Sequence, residues 1–326
     1  MDKTDNIKIN FKLLLGNLVM LIGIIVFVVL FSKFFGSENT LVGVAVITAM
    51  LMFKSINISL KYREAIFAII FSFIYMAFAS YISRLNAFTG IPINFILVFI
   101  VIYLFTNEME TKAYLPFILC YVFLEGNPVS SEQLMNRIVG LLTGGILIAF
   151  IYYISHKDSD DKNHLTIREM ISNFKTNSLQ FNFSLRMAIG ISIAMFIGKT
   201  FGFSKSMWIS ITVMSLTQPH YHETKERIKQ RVVGTIIGSI IFIILFEYLV
   251  PSKFSSLVLL ILSYIYTFIK KYDRQIIFVT LNSLGAAMVL FDTFVSVPMR
   301  ITFVLLGSII AFMVNKTIYA RMETYS

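Results

Sequence analysis

The sequence predicts an all-α integral membrane protein of about twelve transmembrane helices in two parallel six-helix pseudo-repeats. Three observations carry the prediction. Of 326 residues, 57% are hydrophobic, 32 are Phe and only 14% are charged, too little charge to cover a water-soluble domain of this size. Apolar runs recur along the whole chain, separated by short polar turns. The order of those runs, with a few of their arginines and glycines, returns after a polar stretch at 156–182.

Taken in order, a span needs about 20 apolar residues, fewer where helices are broken or tilted. The first runs from Leu13 to Phe35, behind Lys3, Lys8 and Lys12, too long for a signal-peptide core and without a small-residue cleavage site. The next cover Thr40 to Phe53, Glu64 to Ile82, Ile93 to Phe105, Ala113 to Leu124 and, through Arg137, a sixth ending at Ile154. Residues 1–155 thus form a first six-helix unit. Residues 156–182 form a cytoplasmic linker, in which Thr166 and Glu169 make a capping box and Ile167, Met170, Ile171 and Phe174 share one helical face. Residues 183–326 form the second unit, with helices at Leu185 to Phe203, Met207 to Leu216, Val232 to Val250, Ser256 to Phe268, Ile276 to Phe291 and Val297 to Val314.

Arg63 and Arg231 stand at the start of the third helix of each half, and Arg137-x6-Gly144 matches Arg300-x6-Gly307 in the sixth. An even number of spans per half gives both halves one orientation. On that topology roughly 21 Lys and Arg fall inside and roughly 7 outside, which places both termini in the cytoplasm of a cell bounded by this membrane. The net charge of +10 therefore reflects membrane orientation rather than nucleic-acid binding. The single Cys120 excludes an intramolecular disulfide and any cysteine metal cluster.

Candidate chemistry concentrates between Trp208 and Gly238. Gln218-Pro219 interrupts the apolar pattern after a short helix, and broken helices in a membrane free backbone groups to meet a solute. Trp208, Thr212 and Gln218 are the candidate wall of a pathway; an ordinary cytoplasmic turn is the alternative. Arg227, Arg231, Gly234 and Gly238 share one helical face, with the glycines set for close packing and the arginines turned inward with them. Arg137 and Arg300 are a second cationic pair, toward the opposite end, either attracting anions or snorkelling to the interface. Asn282 lines a polar path or bonds a neighbouring helix. His220 and His222 lack a third metal ligand, and neither a catalytic constellation nor a cofactor motif is present. No acid sits at the centre of a span, which weighs against proton coupling.

Trp208-x2-Ile211-Thr212, Gln218-Pro219, Arg227 and Arg231-x2-Gly234-Thr235-x2-Gly238 together resemble the signature of the fusaric acid resistance and aromatic acid exporter superfamily, to which plant aluminium-activated malate transporters are distantly related. In the first half the corresponding positions read Thr40, Met50-Leu51 and Ile66-Phe67, with Arg63 alone in common, and the large soluble domain of many such proteins is absent. The resemblance implies a bacterial cytoplasmic-membrane exporter of aromatic or other organic carboxylate anions, not an enzyme, with no cofactor or metal. Its partners are the lipid bilayer and a small organic anion, and a homo-oligomer is compatible with it. A passive anion channel, a noncatalytic scaffold and a lipid- or cell-wall-related membrane protein are the alternatives.

Overall fold

The computed structural model describes residues 11–157 and 164–323. Its helices are α1 (Phe11–Phe35), α2 (Thr40–Phe53), α3 (Tyr62–Ser83), α4 (Ala87–Leu104), α5 (Leu115–Gly126), α6 (Leu134–His156), α7 (Ile167–Ser172), α8 (Leu179–Thr200), α9 (Met207–Leu216), α10 (Tyr221–Ile243), α11 (Ser255–Tyr266), α12 (Tyr272–Ala287) and α13 (Thr293–Glu323). A π-helical turn, Ile244–Leu249, continues α10. Among the described residues the one β feature is an isolated bridge between Leu60 and Leu165.

Among the described residues the protein is all-helical, and seven of its helices are long and apolar enough to cross a membrane: α1, α3, α4, α6, α8, α10 with its π turn, and α13. Helices α2, α5, α9 and α11 are apolar but shorter. At 1.5 Å per residue, the ten residues of α9 reach only about 15 Å, half a bilayer core.

Helix starts differ from expectation where polar residues open them. The third helix of the second half begins at Tyr221 rather than Val232, because the charged run from His222 to Gln230 is helical. Hydropathy sees only the apolar part of such a helix. The expected pairing of Arg63 with Arg231 fails for this reason: Arg63 is exposed in the first turn of α3, whereas Arg231 is buried near the middle of α10. Likewise α4 opens at Ala87, where Asn86 Oδ1 accepts from Phe88 N at 2.9 Å, so Gly90 and Pro92 lie within the helix rather than in a turn before it.

Packing follows one scheme in each half. In the first, α2 and α3 flank α6 and α1 leans on α2; in the second, α9 and α10 flank α13 and α8 leans on α9. Close approach rests on glycine. A Cβ on Gly144 of α6 would stand 2.5 Å from Val46 Cγ2 of α2, and one on Gly307 of α13 would stand 2.7 Å from Thr212 Cβ of α9. The halves meet mainly along α4 and α8. The reciprocal contact, α1 with α11, is slight and confined to one end, where Asn17 Nδ2 donates to Thr267 Oγ1 at 3.1 Å and Tyr264 Oη donates to the Leu14 carbonyl at 3.0 Å.

Between the halves α7 lies against the first unit. The capping box is present in both directions: Thr166 Oγ1 accepts from Glu169 N at 3.0 Å, and Glu169 Oε2 accepts from Thr166 N at 2.7 Å. Those bonds hold the Glu169 carboxyl below its ordinary pKa. Of the four apolar residues expected on one face only Met170 is buried; Ile171 and Phe174 remain exposed. Ile167 N donates to Glu64 and Lys61 N to the Leu165 carbonyl, so the linker is tied to the start of α3. We call this the linker end of the molecule and the opposite one the far end.

Candidate functional site

The break between α9 and α10 is built from both sides. Gln218 N donates to Thr224 Oγ1 at 3.2 Å, while the Gln218 side-chain amide turns back on the Ser215 and Thr217 carbonyls at 3.2 and 2.9 Å. Two residues that the sequence reading missed hold the break in place. Arg186 of α8 donates to the Pro219 carbonyl at 2.7 Å and to Asn315 Oδ1 of α13 at 2.8 Å, and Asn315 Nδ2 reaches Thr217 Oγ1 at 3.3 Å. An Arg and an Asn inside two otherwise apolar runs were the signal for them. Gln218 thus braces the hinge.

One helical turn further along, Arg227 stacks on the Tyr272 ring at 4.3 Å and its Nη1 approaches the Ser215 carbonyl at 3.4 Å. Its charge reaches Lys112 in the loop before α5, where burial first and Arg227 second lower the pKa of the ammonium. Lys225 and Lys229, on the other side of α10, are exposed.

Deeper still, the geometry changes character. Arg231, Thr235 and Ser239 follow one another at i, i+4 and i+8 on α10, all buried. The adjoining Gly234 and Gly238 press α10 onto α12: a Cβ at Gly238 would stand 2.8 Å from the Ile277 carbonyl oxygen and 2.9 Å from Thr280 Cβ. From α13 comes Arg300, 1% exposed, its guanidinium 4.8 Å from the centre of the Trp208 ring. Arg231 and Arg300 lie close enough for their charges to act on one another, and Tyr266 of α11 is within reach of Arg231. Six buried polar atoms gather on these three helices without a hydrogen-bond partner: Arg231 Nε and Nη2, Thr235 Oγ1, Ser239 Oγ, Thr280 Oγ1 and Arg300 Nε. Buried polar groups are normally paired, and a charge inside hydrocarbon costs about 2.5–3.5 kcal/mol even on insertion scales. Two such cations, close enough for their charges to act on one another and accompanied by unpartnered hydroxyls on α10 and α12, make a site that an anion would stabilise.

The expected grouping of Arg227 with Arg231 and of Arg137 with Arg300 is therefore redrawn. Arg231 joins Arg300 across α10 and α13, while Arg137 lies in the other half with each of its nitrogens bonded: Nε to Asn39 Oδ1 at 2.9 Å, Nη1 to the Asn127 carbonyl at 2.6 Å and Nη2 to the Glu38 carbonyl at 2.8 Å. Thr212 donates to the Trp208 carbonyl at 2.7 Å and packs on Gly307. Asn282 accepts from Ser263 Oγ at 3.1 Å, joining α12 to α11. His220 and His222 face each other at 6.0 Å, and no group of three His, Cys, Asp or Glu side chains suited to a metal occurs among the described residues.

The chain is thus a multi-pass helical membrane protein with buried cations on α10 and α13. Residues 193–314 match the family described as fusaric acid resistance protein-like, so the resemblance holds over that segment of the chain. The match contains the whole orphaned cluster, Trp208 included, and leaves Arg137 outside. No curated protein and no solved structure matches the chain.

Proposed function

We propose that this protein carries organic carboxylate anions across a bacterial cytoplasmic membrane, with Arg231 and Arg300 as the central anion site, Trp208 beside it for an aromatic or apolar part of the solute, and Arg227 at the linker-end mouth. The observation that carries the reading is the pair of buried guanidiniums with unpartnered nitrogens, together with three unpartnered hydroxyls on α10 and α12. A carboxylate placed there would accept charge-assisted bonds and remove the mutual repulsion of the two cations. In the same reading the chain is two parallel six-helix units with both termini on the cytoplasmic linker side. It is supported by the shared packing of α1, α2, α3 and α6 with α8, α9, α10 and α13, and by side chains of α6 and α13 that meet the two ends of the second helix of each half: Arg137 at Asn39 and Tyr152 at Asn57, against Arg300 at Trp208 and Asn315 at Thr217.

The test is flux of a labelled aromatic carboxylate, with malate alongside, into proteoliposomes under imposed pH and voltage gradients. Wild-type flux should saturate. Arg231→Gln and Arg300→Gln should each lower it at least tenfold, the scale of about 1.4 kcal/mol or more that a buried charge-assisted contact supplies. Flux unchanged in both variants would remove the site. Flux that follows only the electrochemical gradient would make the protein an anion channel with the same site.

A further inference from the structure

At the far end the seam between the two halves opens into a cleft of about 280 Å³, lined by Arg84, Glu125, Lys199, Phe203 and Met207 among others. Glu125 ends α5 and is partly buried in the cleft wall. Its Oε1 accepts from Ser83 Oγ of α3 at 2.6 Å, and the Ser83 carbonyl in turn accepts from Lys199 Nζ of α8. Ser83 therefore joins an acid of the first half to a cation of the second. Lys199 and Arg84 are near enough for their charges to act on Glu125, yet its carboxylate accepts a hydrogen bond from a neutral hydroxyl, that of Ser83.

The remaining surroundings of Glu125 are few. Its own helix brings Tyr121, whose hydroxyl donates to Asn94 of α4 at 2.6 Å; α9 brings only the hydroxyls of Ser206 and Ser210 to the cleft, with Met207. Helix α3 contributes Ser83, Arg84 follows it, and α8 contributes Lys199. A carboxylate in a water-accessible cleft, held by a neutral donor and flanked by cations, can exchange a proton with the solution on that side. Adding the proton removes the charge that draws Lys199 and Arg84 to the seam.

We infer that Glu125 is a proton-binding switch at the seam between the halves: deprotonated, it holds Lys199 and Ser83 together and the far-end cleft narrow; protonated, it releases Lys199 and lets the halves part. Motion there has a direct path to the anion site. A Cβ on Gly126, the residue after Glu125, would stand 2.6 Å from Met207 Cβ, and Met207 precedes Trp208, on whose ring Arg300 rests. Proton binding at Glu125 stands on this geometry alone. Its use in driving anion movement rests on the reading of Arg231 and Arg300 above.

The only tryptophan reports the switch. Purified full-length protein in lipid nanodiscs, without any organic anion, is titrated with pH while Trp208 emission is recorded. Wild type should show a one-proton transition, Glu125→Gln should remain at the low-pH signal throughout, and Lys199→Gln should move the transition to higher pH, since loss of a neighbouring cation favours the protonated carboxyl. No transition in wild type, or one unchanged in Glu125→Gln, overturns the inference. Should Glu125→Gln fail to fold, an unmoved transition in Lys199→Gln overturns it equally. In proteoliposomes Arg231→Gln should lose flux and keep the Trp208 titration, whereas Glu125→Gln should keep flux down an anion gradient and lose its response to pH. Absent flux with an intact titration would reject the anion reading and leave the proton site standing.

Discussion

Among the buried arginines, what decides role is whether the nitrogens are satisfied. Arg137 and Arg186 spend theirs on carbonyls and amide oxygens of neighbouring segments. Removing such a side chain leaves buried acceptors unpaired, at about 1–3 kcal/mol for each group affected. Arg137→Gln should accordingly lower Tm in a thermal-shift measurement while surviving protein retains its anion affinity. Arg231 and Arg300 show the opposite arrangement, with nitrogens left open beside hydroxyls. Arg300→Gln should weaken anion binding with little loss of Tm, because it relieves a repulsion between cations as well as removing a contact. Tm and affinity measured on the same preparations separate the two classes; a fall in Tm for Arg300→Gln as large as for Arg137→Gln would place Arg300 among the clasps.

Among the elements, α9 and α10 form the unit on which the site depends. Ten residues of α9 end at a hinge clasped by Arg186 and Asn315, and α10 then rises past α13 and α12 with its glycines against α12. The seat of Trp208 beneath Arg300 depends on α9 lying close to α13. At Gly307 that closeness is absolute, since a Cβ there would meet both Thr212 Cβ and the Ile209 carbonyl oxygen at 2.7 and 2.8 Å. Gly307→Leu should force the two helices apart at about 1–3 kcal/mol or more. Its expected signature is a lower Tm together with a changed Trp208 emission, whereas Gly16→Leu on α1, where nothing lies within 4 Å of an added Cβ, should change neither.

For the whole molecule, the two halves are joined by chain through the linker and by packing through α4 and α8. The packing is extensive, with Phe99 of α4 edge-on to Phe181 of α8 at 5.5 Å and Gln180 donating to the Tyr103 carbonyl at 2.7 Å. A protease site placed in the linker after Lys157 should therefore cut without separating the halves, which are expected to co-purify in mild detergent and to keep the Trp208 titration. Separation on cutting would mean that the covalent linker, rather than α4 and α8, holds them.

An all-helical membrane protein is readable from composition and hydropathy because lipid demands apolar side chains all round a helix and leaves that demand written in long runs. The same logic exposed the capping box at Thr166 and Glu169, a purely local device, and the segment from Trp208 to Gly238 as the place to look. The runs do not show where polar helix starts begin: α10 opens at Tyr221, eleven residues before Val232, and Arg231 lies deep in the bundle rather than level with Arg63. Arg137 and Arg300 have the same spacing to a glycine, yet one is a satisfied clasp and the other an open cation, and nothing in either local sequence distinguishes them. That difference depends on Asn39, Glu38 and Asn127 on one side and on Trp208 and Arg231 on the other, residues distant in sequence that only helix packing brings within bonding reach. The sequence by itself determined the solvent this protein lives in and the helices it makes there. Which of its charges are paired was decided by the tertiary structure, because pairing depends on distances across helices that no local pattern records.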